Sequence, residues 1–161
     1  KGFTLIELLV VVAIIAILSA VVIANLGDAR KRSRDGKKIA DVKQIQLALE
    51  LYFNKYGEYP KNSEVITDNK LVTDGFLPKL PQPTPSTNYV YAGLGTVEGK
   101  CTSYHLAAIL EIAGQSSLND DVDAVSTGSN GCSGDVDFHG NATNCSGSSA
   151  ASTDSCYDVK P

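Results

Sequence analysis

Phe3-Thr4-Leu5-Ile6-Glu7-Leu8-Leu9-Val10-Val11-Val12-Ala13-Ile14-Ile15-Ala16-Ile17-Leu18-Ser19-Ala20-Val21-Val22-Ile23-Ala24-Asn25-Leu26 is the stretch whose reading decides the rest of the chain. Residues 8–24 carry no charge and a single hydroxyl, on Ser19. As a helix, residues 3–26 extend about 36 Å, enough to cross the ~30 Å hydrocarbon layer of a bilayer. A secretory signal would be shorter and would end in a small-x-small cleavage site. Here the apolar run passes straight into a further helical pattern, so it reads as a retained membrane helix. Glu7 is the informative residue, because an anion within an apolar span costs about 2.5–3.5 kcal/mol. One reading places it at the headgroup edge, where the cost is small. The other gives it a cationic partner at membrane depth. A cut after Gly2 would create such a partner, the α-amino group of Phe3 on a neighbouring copy, and the charge would then be satisfied only on assembly.

Residues 28–56 continue the helix. Ile39, Val42, Ile45, Leu49, Tyr52 or Phe53, and Tyr56 recur every three or four positions, the spacing of one apolar stripe facing a globular head. Residues 3–56 then form one rod of about 80 Å. That length exceeds the need of a lone anchor and suits stems that bundle in a filament core. Arg30, Lys31, Arg32, Arg34, Lys37 and Lys38 make a basic run relieved by Asp28 and Asp35. It reads first as a solvated helix face just outside the bilayer, partly paired with acids on neighbouring subunits. Contact with anionic lipid headgroups is a second reading and DNA phosphate a third. Positive charge ordinarily stays cytoplasmic, so a leader, of which Lys1-Gly2 is the expected remnant, must supply competing charge for the head to lie outside.

Tyr56-Gly57-Glu58-Tyr59-Pro60 ends the helix, Gly57 as a C-terminal cap and Pro60 as a residue that cannot continue it. A short helix is expected near residues 63–71 and a stiff loop at 80–85. Strands are expected at 88–92 and 104–111, with a turn-rich 93–99 between them and a short closing strand at 157–159. A long helix packed on a small antiparallel sheet gives an α+β head over residues 57–161. Charge divides the chain unevenly: residues 1–60 carry nine basic and six acidic side chains, residues 101–161 one and eight. Such a chain is not a uniformly basic nucleic-acid binder. The Gly/Ser-rich, acidic region 114–156 has too few large apolar groups to order itself and needs staples. Cys101, Cys132, Cys145 and Cys156 can supply two disulfides in three possible connectivities. Zinc is disfavoured, since there is no C-x-x-C pair and His105 and His139 lack ligand spacing. Asp120, Asp121 and Asp123 form one acidic cluster, and Asp135, Asp137 and Asn141 another. Both are read first as solvated loops and second as oxygen-rich Ca²⁺ ligands, without the full EF-hand pattern. Asn141-Ala142-Thr143 fits a glycosylation triplet. No nucleophile elbow, phosphate loop or H-E-x-x-H motif is present, so no enzyme chemistry is expected.

Lys1-Gly2-Phe3-Thr4-Leu5-Ile6-Glu7-Leu8-Leu9-Val10-Val11-Val12 resembles the processing and assembly signature of type IV pilins and the related pseudopilins. The resemblance implies that a prepilin peptidase/methyltransferase cuts after Gly2 and methylates Phe3, and that Glu7 is the assembly carboxylate. It also implies a self-assembling helical polymer built by a membrane platform, with no cofactor required, and the α+β fold already read. The junction from Gln44 to Pro60 is similar to the stem-to-head junction of the same family. Major pseudopilins use a calcium site in the C-terminal loop, which the acidic clusters match loosely. One departure is the lack of a kinking proline in the stem, leaving Asn25-Leu26-Gly27 as its weak point. The function expected is a pilus subunit on the cell surface. A periplasmic type II secretion pseudopilin is the alternative, and a membrane-tethered DNA-binding module an alternative of another class. The expected organisation is a leader remnant at 1–2, a membrane or filament-core helix at 3–27, an amphipathic helix at 28–56 and the head at 57–161.

Overall fold

The computed structural model describes residues 2–61, 64–65, 69–82, 89–126, 132, 138–145 and 153–161, the side chains of 21 and 23–25 excepted. Helix α1 is continuous over Leu5–Tyr56, 52 residues. It passes Gly27 and Gly36 unbroken, and a Cβ at either would meet nothing. Thr4 caps its start, and Gly57 closes its end at φ 72°, donating its N–H to the Phe53 carbonyl at 2.7 Å.

Residues Glu64 and Val65 are helical, and α2 spans Lys70–Thr73, so a helix lies where one was expected near 63–71, with 66–68 outside the described residues. Strand β1, Val90–Val97, pairs antiparallel with β2, Lys100–Ile109. The segment 93–99, expected to be turn, is therefore mostly strand. The glycine at 93 marks a close approach: a Cβ there would stand 3.2 Å from Cys101 Sγ and from the Pro60 carbonyl oxygen. The turn itself is Glu98-Gly99, both at positive φ, the two-residue hairpin whose twist matches its strands. Two further short strands, β3 (Val125–Ser126) and β4 (Phe138–His139), pair with each other, and β5 (Cys156–Val159) adds to the other edge of β2. The main sheet runs β1-β2-β5.

The stem packs on one face of this sheet. Val42, Ile45, Leu49 and Tyr52 of α1 meet Tyr91, Tyr104, Leu106 and Ala108, all buried. Tyr52, and not the half-exposed Phe53, continues the stripe, and Tyr56 is 39 % exposed. Glu50 accepts from the Tyr59 and Tyr104 hydroxyls at 3.1 and 3.3 Å, pinning the upper stem. The far face of the sheet is also covered. Ala92, Leu94 and Ala107 pack with Phe138, Cys145 and Cys156, and the His105 ring stacks on Phe138 at 3.8 Å. The polar C-terminal region is thus a third layer. The bonds Cys101–Cys132 and Cys145–Cys156 staple it, closing loops of 31 and 11 residues. Loop-closure entropy makes these worth about 3.7 and about 2.8 kcal/mol.

Candidate functional site

The N-terminal turn carries Phe3 and Glu7, the residues expected to direct assembly. Thr4 and Glu7 form a reciprocal capping box: the Thr4 N–H and hydroxyl donate to Glu7 Oε2 at 2.8 and 2.7 Å, and the Glu7 N–H donates to Thr4 Oγ1 at 3.3 Å. Within one chain the Glu7 carboxylate thus already has two neutral hydrogen-bond donors, both from Thr4. Phe3 is 89 % exposed, and Leu5, Ile6, Leu8, Leu9, Ile14, Ile15, Ile17 and Leu18 are all more than half exposed. A helix apolar all round has no stable place in water and demands lipid or other helices. Among the described residues no helix is long and apolar enough to cross a membrane. The stretch 3–26 includes the four positions whose side chains are not described.

The basic run divides into two parts. Arg34 and Lys38 face the head. The Arg34 guanidinium is bidentate on Glu111, Nε to Oε1 at 2.7 Å and Nη2 to Oε2 at 2.6 Å. Lys38 Nζ donates to the Ile109 carbonyl at 2.9 Å and stands 3.5 Å from both Asp35 and Glu111. Asp35, fully buried, accepts the backbone N–H groups of Glu111 and Ile112 at 2.8 and 3.0 Å and the Gln115 amide at 3.4 Å. These groups clasp the stem to the lower end of β2. Lys38, read as part of a solvated basic face, is in fact buried, because its ammonium reaches the carbonyl and carboxylates at the strand end. Arg30, Lys31, Arg32 and Lys37 remain exposed, with Lys31 3.3 Å from Asp28.

The Arg34 hydrogen bonds hold the Glu111 carboxyl at about 2, well below the usual carboxylate range, against the opposing effect of burial. A depressed folded-state value means that the pair's contribution is complete above about 4.5 and is lost as pH falls toward 2. Acid titration of stability is therefore expected to show a loss across that window. Arg34→Gln should flatten it, as read by thermal melts from pH 6 to 2.

On the outer layer, Asp121, Asp123 and Asp158 present carboxylate oxygens within 4.8 Å of one another. Asp120 is not a member of this group of carboxylates, and Asp135 and Asp137 lie outside the described residues. Asp158 is buried, accepts from the Asp123 and Ala124 N–H groups at 2.9 Å each, and lies 2.6 Å from His105 Nε2. Gly140 permits this, since a Cβ there would collide with Asp158. Burial first, and then the Asp158 charge, push the Asp121 carboxyl up to about 7. Its Oδ1 is buried without a hydrogen-bond partner. An all-oxygen, anionic donor set with one orphaned oxygen fits a hard divalent cation such as Ca²⁺. Such an ion would offset most of the group's charge and tie residues 121–123 to β5. His105 is fully buried within β2, and burial lowers its pKa, so it serves as a sheet residue.

Residues 1–23 match the family model for the prokaryotic N-terminal methylation motif. The type II secretion system core protein G of Pseudomonas aeruginosa is 32 % identical over 119 residues, covering 67 % of this chain and 83 % of that protein. The chain belongs to the type IV pilin and pseudopilin family. Its similarity to other family members is shorter. The core protein G of Pectobacterium carotovorum is 28 % identical over 102 residues, 55 % of this chain and 64 % of that protein. The type IV wide pilus major component PilA4 of Thermus thermophilus is 47 % identical over 66 residues, 41 % of this chain and half of that one. The chain thus spans about half to two thirds of these last two pilin-family relatives. No solved structure matches it. Of the clasp, Lys38 was singled out only as part of the basic run, and Asp35, Glu111 and the buried Asp158 were not singled out as site residues from the sequence. The signal for the clasp was present, since 35 and 38 extend the spacing of the 42, 45, 49, 52 stripe.

Proposed function

We propose that this chain is a structural subunit of a type IV pilus-like filament. The membrane stores it through residues 3–27 until a prepilin peptidase cuts after Gly2. An assembly platform then draws it into a helical homopolymer. The observation that carries this reading is the stem's apolar surface, exposed at Phe3, Ile6, Leu9, Ile15, Leu18 and Leu26 yet continuous with a helix that the head clasps firmly. In the polymer, stems pack against stems, and Glu7 meets the Phe3 amino group of a neighbour, which sets the axial register. The capping box supports this step, because it already points the carboxylate toward the chain start. The second reading, a type II secretion pseudopilin forming a short periplasmic fibre, is favoured by the 83 % coverage of core protein G.

Two measurements test the proposal. The N-terminal mass of protein sheared from cells should correspond to a methylated Phe3, and electron microscopy of undisturbed cells should show long surface fibres. Intact, unpolymerised chains would refute the filament reading, and fibres confined to the periplasm would select the pseudopilin reading. The calcium expectation belongs to the same proposal, with Asp121, Asp123 and Asp158 as the holders. Millimolar CaCl₂ should raise the Tm at pH 7.5, a chelator should reverse the rise, and Asp121→Asn should abolish it.

A further inference from the structure

We propose that Arg30, Lys31 and Arg32 form a collar that holds the headgroups of anionic phospholipid around the stem while the subunit waits in the membrane. The inference rests on the membrane-stored precursor described above. It follows from what the structure does to the basic run. Arg34 and Lys38 are spent on Glu111, Asp35 and the Ile109 carbonyl. Arg30, Lys31 and Arg32 are exposed, and among the described residues the ion pair they make is that of Lys31 with the exposed Asp28 at 3.3 Å.

Position along the axis separates them further. From Glu7 to Leu26 the helix rises about 29 Å, which matches the ~30 Å hydrocarbon layer. Residues 30–32 then lie about 6–9 Å past its edge. That is within or against a headgroup layer about 5–8 Å deep, and the long side chains can bend back into it. Lys37 lies about 16 Å past the edge, beyond that layer. The arrangement around the axis selects the partner. Three consecutive helical residues fan over about 200° of the shaft. Lipid headgroups surround a shaft, so a fan suits them. A DNA backbone needs cations lined along one side, and these three are not. Each cation near an anionic surface strengthens association roughly fivefold.

The test reconstitutes the full chain in phosphatidylcholine bilayers with and without one fifth phosphatidylglycerol. Trace spin-labelled lipids of each type report which headgroup is motionally restricted beside the protein. Phosphatidylglycerol should be preferred about five- to tenfold at low salt, with the preference shrinking in 0.5 M NaCl. R30Q/K31Q/R32Q should show no preference, and K37Q should keep it. Equal restriction of both lipids by the wild type, or an undiminished preference in the triple variant, overturns the collar but leaves the membrane reading intact. Equal restriction together with retention of duplex DNA by the wild type, but not by the triple variant, replaces it with a DNA contact. No restricted lipid of either type removes the membrane reading and the collar together.

Discussion

Glu7→Gln chains are expected to fold, to be cut after Gly2, and to form no filaments. Glutamine is isosteric and keeps an oxygen that can accept from Thr4, so the cap survives with a change below about 1 kcal/mol. Melting of the head, which begins about fifty residues further along, should be unmoved. The polymer is affected differently. Among packed stems an unpaired Phe3 ammonium would be left in apolar surroundings. Removing one partner of a buried pair costs about 3–5 kcal/mol. Each subunit would make the proposed contact, so the concentration needed for assembly should rise roughly a hundredfold or more. Negative-stain counts and pelleting of assembled protein measure this at matched levels of cleaved subunit. Normal fibre yield in the variant would remove Glu7 from the assembly contact.

The largest loss of stability is expected from Asp35→Ala. The substitution strands the buried Lys38 ammonium and removes the acceptor of two backbone N–H groups at the end of β2. Loss of one member of such a cluster costs about 3–5 kcal/mol. For a head of this size that corresponds to a Tm lower by about 15 to 30 °C. Asp28→Ala, at an acid with 74 % of its side chain exposed, should stay within about 0.5 kcal/mol of the parent. Asp35→Ala with Lys38→Met should recover part of the loss, because no orphaned charge remains. If the single and double variants melt together, the charge of Lys38 is not what Asp35 balances.

These two residues also show where reading a sequence succeeds and where it stops. Residues 5–57 were legible because helix periodicity and capping are local: the stripe from Val42 to Tyr52 and the Gly57 cap depend on neighbours in sequence. Asp35 and Lys38 sit on that same stripe. They were read as surface because charged side chains are rarely buried unless paired, and the pairing group, Glu111, is more than seventy residues away. The strands at 90–97, 100–109 and 156–159 fell close to expectation. The glycines at 93 and 95 suggested a turn, when Gly93 in fact accommodates a disulfide that only the fold brings near. Four cysteines announced two bonds, but the choice among pairings depended on a third layer covering the far face of the sheet. That layer is organised around Phe138 and Asp158, for which a mostly polar sequence gives no period to follow.

The clasp has a mechanical consequence. Tension applied along the stem enters the head at residues 109–112, at the base of β2, and travels along that strand to Cys101, whose sulfur is bonded into the outer layer. The stem runs beside β2, with Lys38 at Ile109 and Glu50 at Tyr104, so the load is directed along the strand and strains the hydrogen bonds joining β2 to β1 and β5 together in shear. They are not peeled apart one at a time, and a fibre built from such subunits can be pulled hard without its shell unravelling.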